Sequence, residues 1–208
     1  MAYRWNFAPL LDNADVLWVG ALGTLRIFAI CAVVGLGLGL LVGLARQSAN
    51  GWLRRPATVF VEFFRNTPVL VQILWFYFAL PILLPFDISP LAAAALGISL
   101  NSAAFTGEIV RGGIQSIERG QWEAGRALGM TPAQTMRRIV LPQALRRMLP
   151  ALTNRGIEIF KMSTLASAVA YVELLQQGKL LASLNFNPIE TYTVIRSEER
   201  RVGKECTI

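Results

Sequence analysis

Long charge-free apolar runs alternate along this chain with short stretches rich in arginine. Ile27 to Ala45 holds 19 residues without a charge and Thr67 to Phe86 holds 20, each near the ~20 residues that a membrane-spanning helix requires. A third, alanine-rich run from Pro90 to Thr106 is interrupted by Asn101, and a fourth from Ala151 to Leu175 carries Arg155, Glu158 and Lys161. The pattern predicts spans over about 16–45, 59–85, 90–112 and 151–174, with a polar loop over 113–150. The expected fold class is an all-α integral membrane bundle. Gly35, Gly39 and Gly43 recur every four residues, which lets a second helix approach closely. A phosphate-cradling role for Gly35 to Gly39 is disfavoured, because the run lies at hydrocarbon depth and no strand precedes it.

The polar loop carries its own helix signals. Gly120 and Gly129 bracket one short helix, and Thr131-Pro132-Ala133-Gln134 opens the next with a threonine cap, a first-turn proline and a glutamine three residues on. Gly129 is expected to take positive φ, and Glu123 suits the N-terminal dipole of the first helix. Trp122, Ala127, Leu128 and Met130 supply a compact apolar surface beside Arg126, shaped for docking rather than catalysis. A second break lies at the mouth of the second span. There Pro68 removes a backbone donor and crowds the preceding turn, Asn66 adds polarity, and Glu62 and Arg65 are spaced to pair.

Composition supports a bilayer location. Hydrophobic residues make up 54% and charged residues 16%, and mean hydropathy is +0.47, too apolar for a typical soluble domain. The net charge of +7 raises the question of nucleic acid, but the basic residues cluster by side. Arg46, Arg54, Arg55 and Arg65 lie between the first two spans, and Arg111, Arg119, Arg126, Arg137, Arg138, Arg146 and Arg147 lie in or beside the long loop. The positive-inside rule makes these loops cytoplasmic and puts the N-terminus outside, on the side of Arg4, Asp12, Asp15, Asp87, Glu173 and Lys179. No nucleic-acid partner is expected. The first apolar run is too long for an ordinary signal peptide and is expected to stay as an anchor. The chain has no histidine, so histidine-based metal sites and Ser-His triads are excluded; no metal site is expected. Cys31 and Cys206 suggest no disulfide framework. No phosphate-binding loop occurs either, so this chain is not expected to bind ATP through one.

Glu123-Ala124-Gly125, three residues, Gly129, nine residues and Ile139-Val140-Leu141-Pro142 together resemble the EAA loop of ABC importer permeases. Gly125 departs, standing where the consensus has a second alanine. The segments Glu62 to Gln72, Tyr77 to Pro81 and Glu108 to Gln121 are similar to those of the polar amino-acid subgroup (histidine, glutamate, glutamine and arginine type), and the likeness covers nearly everything from Leu17 to Ile195. The resemblance implies a type I importer permease bundle in the bacterial inner membrane. Its implied partners are an ABC ATPase dimer, a second permease subunit, an extracytoplasmic amino-acid-binding protein and the lipid bilayer. ATP and Mg would sit on the ATPase, and no cofactor on this chain. Glu123, Ala124, Gly125, Arg126, Ala127, Leu128 and Gly129 would form the ATPase-coupling surface. Glu62, Arg65, Asn66 and Pro68 would serve a gate or interface, with direct contact to substrate or ATPase as the alternative.

Arg155, Glu158 and Lys161 follow at intervals of three, spreading over one face of the fourth span. Charges at mid-bilayer cost about 2.5–3.5 kcal/mol on insertion scales, which selects a protein interior or an aqueous path. Glu158 and Lys161, with the hydroxyls of Ser163 and Thr164, are candidates for a path taken by a zwitterionic amino acid. The alternative is a structural Arg155–Glu158 pair, with Arg155 near the membrane interface. Where the resemblance implies a fifth span, the chain turns polar from Arg196 to Ile208. That segment is expected to be a solvated or disordered tail, non-native and replacing a truncated helix; the alternative is a genuine four-span variant with a polar tail. An ion-coupled secondary amino-acid transporter is the rival function, but no internal repeat supports it. A membrane enzyme would have only Glu158 and Lys161 to work with.

Overall fold

The computed structural model describes residues 5–84 and 87–205, the side chains of 197–205 excepted; Arg4 and Cys206 lie outside it. Among the described residues all regular structure is helical. The elements are α1 (Ala8–Asp12), α2 (Ala14–Arg46), α3 (Gly51–Asn66), α4 (Val69–Leu74), α5 (Leu80–Leu83), α6 (Pro90–Gln115), α7 (Arg119–Ala127), α8 (Pro132–Thr135), α9 (Leu141–Met162), α10 (Leu174–Asn185) and α11 (Pro188–Glu205). Among these, α2 and α6 are long and apolar enough to cross a membrane, and α3 with Val69–Leu83 adds a third if the pair counts as one broken span.

Three boundaries differ from the hydropathy pattern, each for a local reason. The span expected over 59–85 is interrupted where Thr67 turns extended (φ −103°, ψ 129°), because the ring of Pro68 disfavours helical geometry in the residue before it. The fourth expected span, 151–174, does not coincide with one helix. Its helix α9 starts at Leu141, inside the expected loop, and ends at Met162. A 3₁₀ stretch, Ser163–Val169, then closes on Ala170 in left-handed geometry (φ 56°). Exposed arginines 146 and 147 masked the amphipathic start of α9 from a hydropathy count. At the other end, α11 continues to Glu205, so the backbone of 196–205 is helical rather than irregular; Glu and Arg are good helix formers whatever the change in composition.

Two Leu-Pro pairs leave the same mark. Pro81 and Pro142 cannot donate a backbone N–H to the preceding turn, and their rings crowd its carbonyls. In each case the turn just before widens to π geometry, over Trp75–Ala79 and Met136–Val140. The widened turns close through Leu80 N–H to the Trp75 carbonyl and Leu141 N–H to the Met136 carbonyl.

The chain forms two units. The first comprises residues 1–31, 69–98 and 157–208. Within it, Tyr171 donates its hydroxyl to the Gly23 carbonyl (3.2 Å), and Leu174 N–H donates to Thr24 Oγ1 (3.1 Å). Glu173, fully buried, caps α10 by accepting from Leu175 and Gln176 N–H. Glu190, also buried, accepts from Asn6 N–H at 2.9 Å. The second unit comprises residues 32–68 and 99–156. Its core gathers Val110, Ile114, Ile117, Val140, Ala144 and Met148. Gly35, Gly39 and Gly43 lie directly against Ser102, Thr106 and Val110 of α6, where any side chain would collide.

Candidate functional site

The long loop folds as a rigid elbow. At the end of α7, Gly129 N–H donates to the Arg126 carbonyl and Met130 N–H to the Gly125 carbonyl, both at 3.0 Å. This Schellman arrangement needs a left-handed residue, and Gly129 supplies it at φ 69°. α8 then opens with a complete capping box: Thr131 Oγ1 accepts from Gln134 N–H, and Gln134 Oε1 accepts from Thr131 N–H. Gly125 is the buried pivot. A Cβ built there would stand 2.7 Å from both Cγ2 and Oγ1 of Thr135, so the departure from alanine matches a close approach of α7 to α8.

The outer face of the elbow is accessible. Glu123, Ala124, Arg126, Ala127 and Leu128 are exposed, Leu128 to 74%. A groove of about 580 Å³ runs between Arg119, Trp122, Glu123, Arg126, Pro132 and Thr135. Trp122 serves two faces, lining this groove and packing with Met136 against the Val110–Met148 core. Gln143 donates to Gln121 Oε1 at 3.0 Å, and Arg147 donates to the Ser116 carbonyl. The first contact ties the elbow to α9, and the second ties α9 to the link between α6 and α7.

Near the end of α6, one carboxylate gathers three guanidinium groups. Glu108 pairs with Arg46, with Arg111 one turn on, and with Arg65 at 3.6 Å. Arg65 therefore turns to Glu108 rather than to Glu62, whose carboxylate accepts from Asn66 Nδ2 at 3.4 Å. The expected i,i+3 pair yields to a partner that can accept from several arginines at once. Pro68 separates α3 from α4. Arg155 is 5% exposed and donates to Asn101 Oδ1 (3.1 Å) and Ser102 Oγ (3.2 Å). It also lies 4.6 Å over the Phe105 ring, which Arg65 approaches at 5.3 Å. Asn101, the polar interruption of the third run, also donates to the Phe64 carbonyl at 3.0 Å.

The four pathway candidates divide. Glu158 and Lys161 are exposed on one face of α9. Ser163 is buried, with its hydroxyl donating to the Phe160 carbonyl, and Thr164 donates to the Lys161 carbonyl. The Glu108 cluster and the partners of Arg155 escaped the sequence reading. Only the Glu108–Arg111 spacing signalled them, since Arg46, Arg65 and Asn101 are distant in sequence.

Residues 35–194 match the family of binding-protein-dependent transport system inner membrane components. The probable amino-acid ABC transporter permease protein YckA of Bacillus subtilis (strain 168) is 41% identical over 190 residues, covering 91% of this chain and 84% of that protein. The glutamine transport system permease protein GlnP of Escherichia coli (strain K12) is 40% identical over 195 residues, covering 92% and 85%. In structure, an amino acid ABC transporter crystallised with histidines superposes with a TM-score of 0.92 at 29% identity, over 99% of this chain and 95% of that one. The MetNI methionine ABC transporter in an inward-facing conformation gives 0.69 at 26% identity, over 97% and 99%. The all-α architecture, the capped elbow and these likenesses agree that the chain belongs to the binding-protein-dependent inner-membrane transport components, as an amino-acid ABC transporter permease with the type I importer fold.

Proposed function

We propose that this permease carries polar amino acids inward by alternating access, driven by a separate ABC ATPase dimer that grips the α7–α8 elbow. The elbow itself carries the proposal. It is exposed on its outer face and stopped at both helix ends by satisfied caps. Through Trp122 and Met136 it is packed onto the same core as α6 and α9. A push on Leu128 or Arg126 would thus be passed to membrane helices rather than absorbed by loop motion, and only differential contact of this kind can shift a conformational equilibrium. ATP and Mg belong to the partner in this scheme. A second permease copy or relative completes the path, with Glu158 and Lys161 facing it, and an extracytoplasmic binding protein delivers the amino acid. The basic loops support a cytoplasmic elbow and an N-terminus outside. The names of the relatives, one a glutamine permease, support a polar substrate.

Cross-linking tests the docking directly. Leu128→Cys, in a background with Cys31 and Cys206 replaced by serine, should form a disulfide or short bis-maleimide link to a cysteine in the ATPase groove. The yield should change between ATP-bound and nucleotide-free states. A yield equal to that of an exposed cysteine elsewhere, such as Leu53→Cys, would remove the elbow from the interface.

A further inference from the structure

The last turn of α3 takes one of its backbone partners from another helix. In a continuing helix the Phe64 carbonyl would accept from the N–H of residue 68, and Pro68 has none to give. Asn101 Nδ2 of α6 donates there instead, at 3.0 Å. The carbonyl before it, that of Phe63, is served locally by Thr67 Oγ1 at 2.9 Å. Asn101 in turn is held by a buried charge. A guanidinium can only donate, so Arg155, 3.1 Å from Asn101 Oδ1, draws the amide oxygen to itself and leaves the nitrogen facing Phe64. Arg155 has little freedom of its own. It is 5% exposed, donates to Ser102 Oγ at 3.2 Å and lies 4.6 Å over the Phe105 ring. These partners all lie on α6, whereas Met148, about two turns back along α9, packs in the core that Trp122 and Met136 of the elbow share.

We infer that Arg155 and Asn101 are positioning residues for transport: Asn101 replaces the donor that Pro68 lacks, Arg155 sets the direction of its amide, and together they fix from α9 where α3 stops. A buried arginine is costly unless its hydrogen bonds are specific, and here one of them decides which atom of Asn101 meets the Phe64 carbonyl. α9 then spans about 10 Å between the elbow core at Met148 and the end of the Glu62 to Pro68 segment. The stop itself is independent of the proposed ATPase coupling, and its part in transport rests on that coupling.

Amide exchange of residues 62–67, read by mass spectrometry on the full chain in nanodiscs, tests the stop. Asn101→Asp keeps an acceptor for Arg155 but has no donor for Phe64, and Arg155→Met frees the amide to turn. Each should speed exchange about fivefold, as the loss of one hydrogen bond does, while Arg155→Lys, which still donates, should retain most of the protection. Pro68→Ala supplies the missing N–H, so in that background Asn101→Asp and Arg155→Met should leave this exchange unchanged. Equal acceleration with and without Pro68 would overturn the inference. Transport is read as uptake per ATP hydrolysed, in proteoliposomes with the ATPase and the binding protein. That ratio should fall in Asn101→Asp and Arg155→Met and be retained in Arg155→Lys; a wild-type ratio beside faster exchange would overturn the positioning role. ATP-independent uptake by the unmodified chain would overturn that role together with the coupling it rests on, and the exchange arm tests the stop apart from both.

Discussion

Gly125→Ala would restore the alanine of the EAA consensus, yet in this chain it should loosen the elbow. An alanine in a helix interior gains about 0.5–1 kcal/mol over glycine from backbone entropy. Against that, the new methyl would sit 2.7 Å from Cγ2 and Oγ1 of Thr135. Thr135 is buried and β-branched, and its hydroxyl is bonded to the Thr131 carbonyl at 3.2 Å, so it has no cheap rotamer to retreat into. Overpacking of this kind costs about 1–3 kcal/mol. The net expectation is about 1 kcal/mol lost from the α7–α8 contact, or about fivefold faster local opening. Amide hydrogen exchange of residues 120–128, followed by mass spectrometry in nanodiscs, reads that opening. Thr135→Ala removes both clashing atoms, so the double variant should exchange more slowly than Gly125→Ala alone, with a coupling of about 1 kcal/mol between the sites. Slower exchange than wild type in Gly125→Ala, or identical effects of that change with and without Thr135, would refute the packing argument.

Gly129→Val should impair the elbow by backbone strain alone, since open space surrounds the site and a β-branched residue at positive φ costs at least about 1–2 kcal/mol; uptake should fall while membrane insertion persists, and wild-type uptake would count against the Schellman stop as part of coupling. Glu108→Gln leaves Arg46, Arg65 and Arg111 clustered without their carboxylate and should cost about 2–4 kcal/mol, seen as a lower melting temperature in detergent; pairing it with Arg46→Gln should recover part of the loss. If Glu158 and Lys161 line the path, Glu158→Gln should mainly impair cationic amino acids and Lys161→Met acidic ones. Competition uptake with arginine, glutamate and glutamine, normalised to inserted protein, checks this, and equal loss for all three would make both residues structural.

What was legible in the sequence was mostly local. The Thr131 capping box and the positive φ of Gly129 depend on a handful of consecutive residues, so a short window contains their cause. The Gly35, Gly39 and Gly43 stripe announced close packing, but nothing in that window named Ser102, Thr106 and Val110 as its partners. Arg65 was paired with Glu62 because helix spacing makes that contact available; Glu108, 43 residues away, competes better by joining three guanidinium groups at once. Arg155 has only Glu158 as a candidate partner within its own helix turn, and only the folded chain brings Asn101, Ser102 and the Phe105 ring to it. Hydropathy also misread the start of α9, where arginine on an exposed face hides a continuous helix. The π turns before Pro81 and Pro142 were foreseeable in mechanism, as disturbances of the preceding turn, though not in their form.

The most direct test of the account is the energy source for uptake. Proteoliposomes should hold this permease, an ABC ATPase and, outside, an amino-acid-binding protein loaded with radiolabelled glutamine. Accumulation should require ATP at the face bearing the α7–α8 elbow, persist when proton and sodium gradients are collapsed, and fall sharply in Gly129→Val while insertion is retained. Accumulation that follows an imposed ion gradient without the ATPase would contradict the account and favour the ion-coupled transporter.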